Sequence, residues 1–119
     1  MRLPTVSELV EDARHGGGLA GASRVGEAAA EGRVVRVGLW SAPSGAVTRA
    51  RFAATTCASL VAYAEAACRL AEANVLAGAR DLAALLRASV AGVHPRHLGR
   101  ADLVAAALAR ALPSEGDPP

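Results

Sequence analysis

At 119 residues the chain suits one small domain, long enough for a modest core and too short for two. Its side chains are 52% hydrophobic but only 3% aromatic, so the core must be built from Ala, Leu and Val, which bury little area per residue and imply modest stability. Thirteen basic against eleven acidic side chains leave a net charge of +2, without the clustered basic face that nucleic-acid binding normally shows.

Thr5-Val6-Ser7-Glu8 has the spacing of a capping box and opens a helix ending near His15, with Val6, Leu9, Val10 and Ala13 on its apolar face. Gly16-Gly17-Gly18 stops it, and a loop of small and polar residues runs on through Glu31-Gly32. Val34 to Trp40 reads as a strand with Val35, Val37 and Leu39 on one face. Ser41-Ala42-Pro43-Ser44-Gly45 is turn chemistry, and a second strand follows from Ala46 to Ala54, in which Thr48, Ala50, Phe52 and Ala54 share a face. Two strands alone are marginal, so helices must cover one face, and a third strand can be drawn from the loop before Arg33.

At Thr55 and Thr56 the period changes, and either hydroxyl can cap a long helix from about Cys57 to Leu76. Leu60, Ala64, Ala67 and Ala71 form its buried stripe, with Tyr63 and Leu70 beside it, and Gly78 ends the run. A further helix spans about Ala79 to Val90 with Leu82, Leu85 and Leu86 inward, until Gly92-Val93-His94-Pro95 breaks it. The last helix, about Leu98 to Leu112, buries Leu103, Val104, Ala107, Leu108 and Ala111. Pro113 stops it, and Ser114 to Pro119 has the composition of a disordered tail. The expectation is an α+β fold over residues 1–112: a small antiparallel sheet of two to three strands, covered on one face by a long helix and further helices, with an N-terminal helix. No apolar run reaches the roughly 18 to 20 residues of a membrane span, and no basic-then-hydrophobic leader is visible. A cytoplasmic protein without a membrane span or nucleic-acid partner is expected.

Cys57 and Cys68 are the two cysteines. On one helix their eleven-residue spacing returns to nearly the same face but separates them by roughly 16 Å, beyond disulfide reach. Cys57 stands among helix-start N–H groups that have no partner within the helix, whose field favours a thiolate. It reads as a reactive or ligating sulfur, or as a small apolar residue packed under the hairpin. Cys68 reads as core. His15 and His94 read as surface or capping groups. Arg33, Arg36, Arg49 and Arg51 form either a solvated, edge-protecting face or a surface for an acidic partner, with Arg49 and Arg51 on one face and in reach of Arg36 across the ladder.

The order of these elements resembles the NifU/IscU-type iron–sulfur cluster assembly scaffolds over roughly Val6 to Leu108. The residues that carry the likeness are Leu9-Val10-Glu11-Asp12 with His15, then Gly26-Glu27-Ala28. They continue with Gly45-Ala46-Val47-Thr48-Arg49-Ala50-Arg51-Phe52, Cys57-Ala58-Ser59 and Asp102-Leu103-Val104-Ala105-Ala106-Ala107-Leu108. Such scaffolds hold a nascent cluster on three cysteines with a nearby aspartate, thiolates being the natural cluster ligands. Where the family has a cysteine, a glycine and the aspartate before the first strand, this chain reads Glu31-Gly32-Arg33. Where it has a histidine and the third cysteine, this chain reads His97-Leu98, and Gly16-Gly17-Gly18 replaces the family's proline-arginine-asparagine segment.

The resemblance therefore implies a degenerate, non-enzymatic member. Cys57 remains of the ligand set, His97 is a second candidate ligand or a solvated imidazole, and Glu31 offers oxygen to iron or zinc or is simply solvated. No stably bound cofactor is expected, with an iron–sulfur cluster, iron or zinc conceivable only through Cys57. A protein partner is expected, either an iron–sulfur assembly component or a larger complex that reuses the fold as a structural or regulatory subunit. A thiol enzyme would need a base near the sulfur, for which His97 is the one arguable candidate.

Overall fold

The computed structural model describes residues 2–76 and 79–113. Its elements are α1 (Val6–Glu11), β1 (Arg24–Ala30), β2 (Arg33–Ser41), β3 (Val47–Ala54), α2 (Ala58–Glu72), α3 (Leu82–Arg87), a 3₁₀ turn (Pro95–His97) and α4 (Arg100–Ala111). The three strands form one antiparallel sheet in the order β1-β2-β3. Helices α2 and α4 cover its inner face; α1 packs on α2, and α3 chiefly on α4. This is the expected α+β architecture with an N-terminal helix. None of the described helices is long and apolar enough to cross a membrane.

Strand alternation decides what is buried. Val35, Val37 and Leu39 of β2, with Ala50 and Phe52 of β3, point at α2 and α4 and are almost wholly enclosed. The segment read as loop through Gly32 is in fact β1 from Arg24 to Ala30, so the third strand exists. Its Ala-rich sequence hides a strand because small residues carry little β-propensity. Gly26 is the reason α4 lies so close: a Cβ there would fall 1.9 Å from the Ala107 carbonyl oxygen. Ala30 and Arg33 pair across the two-residue turn Glu31-Gly32, whose φ values of 53° and 78° mark it as a type I′ hairpin.

Several boundaries move for physical reasons. α1 stops at Glu11 rather than near His15, because the next residues are drawn into tertiary contacts: the Phe52 N–H donates to His15 O at 2.9 Å and the Gly17 N–H to Phe52 O at 3.0 Å, which covers the β3 edge. Val10, expected on the apolar face, is 38% exposed, whereas Leu9 is buried. α2 ends at Glu72, not Leu76. Asn74 adopts φ 56° and its side chain bonds both Val47 N, at 2.8 Å, and Val47 O, at 3.0 Å. α3 begins at Leu82 because Asp81 caps it, accepting from the Ala84 N–H at 3.0 Å. The expectations on Gly78 and on the tail from Ser114 lie outside the described residues.

α2 is buried on more than a stripe. Leu60, Ala62, Tyr63, Ala64, Glu65, Ala67 and Cys68 are all sealed, since the sheet, α1 and α4 surround the helix. Leu19 and Ala22, from the loop before β1, fold over the other side of the sheet and pack against Gly38.

Candidate functional site

Cys57 sits at the N-cap of α2, and neither threonine caps that helix. Thr55 is used elsewhere: its N–H donates to Val34 O at 3.0 Å, and its Oγ1 accepts from the Val34 N–H at 3.3 Å. This double tie brings the end of β3 beside the start of β2, and so sets Cys57 next to Arg33. Arg33 belongs to the inward parity of β2, two residues before Val35, which turns it toward the helices instead of the outer face. From the other side, His97 in the 3₁₀ turn places Nδ1 3.0 Å from Oγ of the buried Ser59. That contact docks the start of α4, with Arg100 as its first residue, against the first turn of α2.

The result is a half-buried thiol in the mouth between the hairpin and the final helix. Burial by itself pushes the Cys57 thiol up. The Leu60 N–H, hydrogen bonding from the Arg100 and Arg33 side chains and the charge of Arg100 outweigh it, and the thiol is held below its ordinary value. The Cys57 sulfur makes no capping hydrogen bond of normal geometry, yet the nearby Leu60 N–H still favours the anion. His97 is likewise held below the usual histidine value, first by burial and then by the charges of Arg100, His94 and Arg33. No motif in the sequence marks Arg100. Its place three residues after His97, at the head of the last helix, was the available signal.

The other candidates are dispersed. Glu31 occupies the β1–β2 turn with its side chain 83% exposed, 3.9 Å from Arg33. His94 caps the 3₁₀ turn, accepting from the Arg96 N–H at 3.1 Å. Arg36, Arg49 and Arg51 lie on the outer parity, apart from Arg33, and each has its own company. Arg36 pairs with the directly opposed Glu27 at 2.5 Å, Arg49 stacks 5.1 Å over the directly opposed Trp40, and Arg51 reaches Glu72 at 3.0 Å. Arg36 itself faces Ala53 across the ladder, not another arginine. Cys68 is fully buried, and its thiol is pushed up by burial and by the charges of Glu65 and Glu72.

His15 is not a surface group. It is 8% exposed, with Nδ1 2.6 Å from Glu65 and Nε2 2.7 Å from Glu72. The signal for this is present in α2: two carboxylates seven residues apart stand on one face of an alanine-rich, largely apolar helix.

The donors around Cys57 do not make a cluster shell. One thiol and one imidazole stand with two guanidinium groups, which only donate hydrogen bonds and cannot ligate a cation. Among the described residues no three of His, Cys, Asp and Glu converge as a metal site. The usual four-ligand arrangement does not fit these side chains. In comparison with known proteins, no family model matches the chain and no curated protein matches it.

Proposed function

We propose that the chain is a scaffold-like protein of the NifU/IscU type with a degenerate ligand set, working in the cytoplasm by binding other proteins and through Cys57 rather than by carrying an assembled cluster. Its partner is an iron–sulfur assembly component or a larger complex. The observation behind this reading is the company of Cys57. The sulfur stands at the start of α2 with Arg33 and Arg100 beside it, where a cation carrier needs acids and thiolates. Two guanidinium charges next to a cation site oppose the binding of iron.

Anaerobic reconstitution with iron and sulfide, followed by visible absorption, tests the reading. Only transient, substoichiometric colour is expected. A stable cluster at one per chain overturns the degenerate-site reading. The binding half is tested by replacing Cys57 with Ser and repeating a pull-down against iron–sulfur assembly proteins: loss of capture supports action through the sulfur, whereas unchanged capture favours a docking module that does not use it.

A further inference from the structure

The two edges of the sheet are finished differently. On β3 the backbone groups that point away from β2 are taken one by one. The Asn74 side chain takes the Val47 N–H and carbonyl, Glu72 the Ala50 N–H, His15 O the Phe52 N–H, and the Gly17 N–H the Phe52 carbonyl. That phase fixes the other edge. Phe52 faces away from β2, so Val37, opposite it on the ladder, turns its groups toward Gly26 of β1, and Val25, Glu27 and Ala29 point theirs outward. Among the described residues the Glu27 carbonyl alone of these has a partner, accepting from Arg110 Nη1 at 2.6 Å. β1 has seven residues without proline, lysine or bulge to guard it, and the Val25 side chain is 49% exposed. Beside it lies a groove of about 280 Å³ between Ala28, Ala29 and Ala30 and the Leu103, Ala106 and Arg110 side of α4.

We propose that the β1 edge is a docking site for one extended segment of another protein, with small apolar side chains at alternate positions and a carboxylate at the Arg110 end. Added as a fourth strand, the segment pairs its backbone with Val25, Glu27 and Ala29 and turns every second side chain into the alanine-lined groove. Its N–H takes the Glu27 carbonyl and frees the Arg110 guanidinium, whose charge the carboxylate of the segment then answers. Asp102, toward the start of α4 in the same groove, disfavours an acid at the opposite end. A second copy of the chain does not fit. α4 rests so closely on β1 that a Cβ at Gly26 would meet Ala107 O at 1.9 Å. Antiparallel pairing with another β1 would keep both α4 helices on one face at about the 5 Å spacing of strands, where packed helices need about 8 to 10 Å. A bare strand brings no such helix. The inference stands on the sheet edge, apart from Cys57 and from the scaffold reading, so the outcome of reconstitution does not decide it.

Amide hydrogen exchange on the full chain, read by two-dimensional NMR, is the test. In the dilute chain alone the Val25, Glu27 and Ala29 amides should exchange freely, while those of Ala50 and Phe52, which have partners, are protected. The probe is a capped seven-residue peptide in which valine alternates with threonine and one terminal valine is replaced by glutamate. With the peptide at about nine times its Kd, the three amides should slow about tenfold, as mass action requires. Methylating the peptide nitrogens at alternate residues separates backbone pairing from apolar contact: one set should abolish the protection and the other keep it. Replacing the glutamate by arginine should weaken binding to the wild type and make little difference to Arg110→Gln. Protection of the three amides in the chain alone overturns the proposal: if it grows with chain concentration a second copy holds the edge, and if it does not the chain's own residues do. No slowing at about 1 mM peptide, the weakest affinity worth calling a site, overturns it too, as do equal effects of the two methylated sets. Should Arg110→Gln fail to fold, the methylated series on the wild-type chain still decides.

Discussion

Nδ1 of His15 lies 2.6 Å from Oε2 of Glu65, a carboxylate fifty residues along the chain that has no exposed surface. The backbone N–H of His15 donates to the other oxygen, Oε1, at 2.9 Å, and Arg69 Nε donates to Oε2 at 2.6 Å. Nε2 of the ring faces Glu72 at 2.7 Å, so both ring nitrogens meet carboxylate oxygens. This is how an α2 so rich in alanine fixes the segment that follows α1. His15→Ala leaves Glu65 buried with Arg69 as its remaining charged partner. A loss of about 3 kcal/mol in urea denaturation is expected, the usual scale for breaking a buried pair. A change within about 0.5 kcal/mol, the range of ordinary surface substitutions, would show that the cluster does not hold the fold.

Glu72 should give the same region an acid sensitivity. Burial raises its carboxyl, but the Ala50 N–H at 2.8 Å, the His15 ring and Arg51 at 3.0 Å together hold it below the usual range. A carboxyl group lowered by folding stabilises the folded chain above its unfolded value of about 4.3. That contribution is lost as the pH falls through the lower folded value. Glu72→Gln should therefore be less stable at neutral pH, and its stability should decline less steeply on acidification. Urea midpoints over an acid pH series check both. Parallel wild-type and variant curves would mean that another group sets the acid limit.

What the sequence shows well is what a repeating pattern encodes. Val35, Val37 and Leu39 announce a half-buried strand, and the capping box at Thr5 and Glu8 forms as written, with the Glu8 N–H donating to Thr5 Oγ1 at 3.2 Å. β1 is obscured because Gly26 is fitted to the close approach of α4 and Ala28, Ala29 and Ala30 carry little strand propensity. Helix ends slip where a remote partner competes, as when Asn74 turns back to Val47. The location of Cys57 follows from the local change of period after β3. The cationic setting of that cysteine does not, because Arg33 and Arg100 are 67 positions apart in the sequence and only the fold brings them to one sulfur.

Two glycines should respond to alanine with opposite signs. At Gly26 the added Cβ would stand 1.9 Å from Ala107 O and 2.6 Å from Ala111 N, backbone atoms of α4 that cannot step aside without lifting the helix. Gly26→Ala is expected to cost about 3 kcal/mol or to prevent folding. Gly99 has φ −67° and nothing within 4 Å of a built Cβ, so Gly99→Ala should be neutral or stabilising, by about 0.5 kcal/mol, through the unfolded chain. Thermal melts of the two variants distinguish the cases. A tolerated Gly26→Ala would mean that α4 does not lie against β1 as closely as described.

The two thiols should separate sharply under alkylation. Cys57 is accessible and its thiol is set low by its donors against the effect of burial, whereas Cys68 is enclosed within α2 and pushed up. Because the thiolate is the reacting species, the rate follows the fraction deprotonated. Iodoacetamide should therefore label Cys57 alone in the folded chain, with a pH midpoint below the free-thiol value of about 8.5. Cys68 should react only once denaturant opens the core. Arg100→Gln removes a charge and a hydrogen-bond donor from the sulfur, so its midpoint should move upward while the order of labelling is kept. If the wild-type midpoint instead falls at or above that of a free cysteine, burial outweighs the two guanidinium groups, and Cys57 is then better described as a packed side chain than as a poised nucleophile.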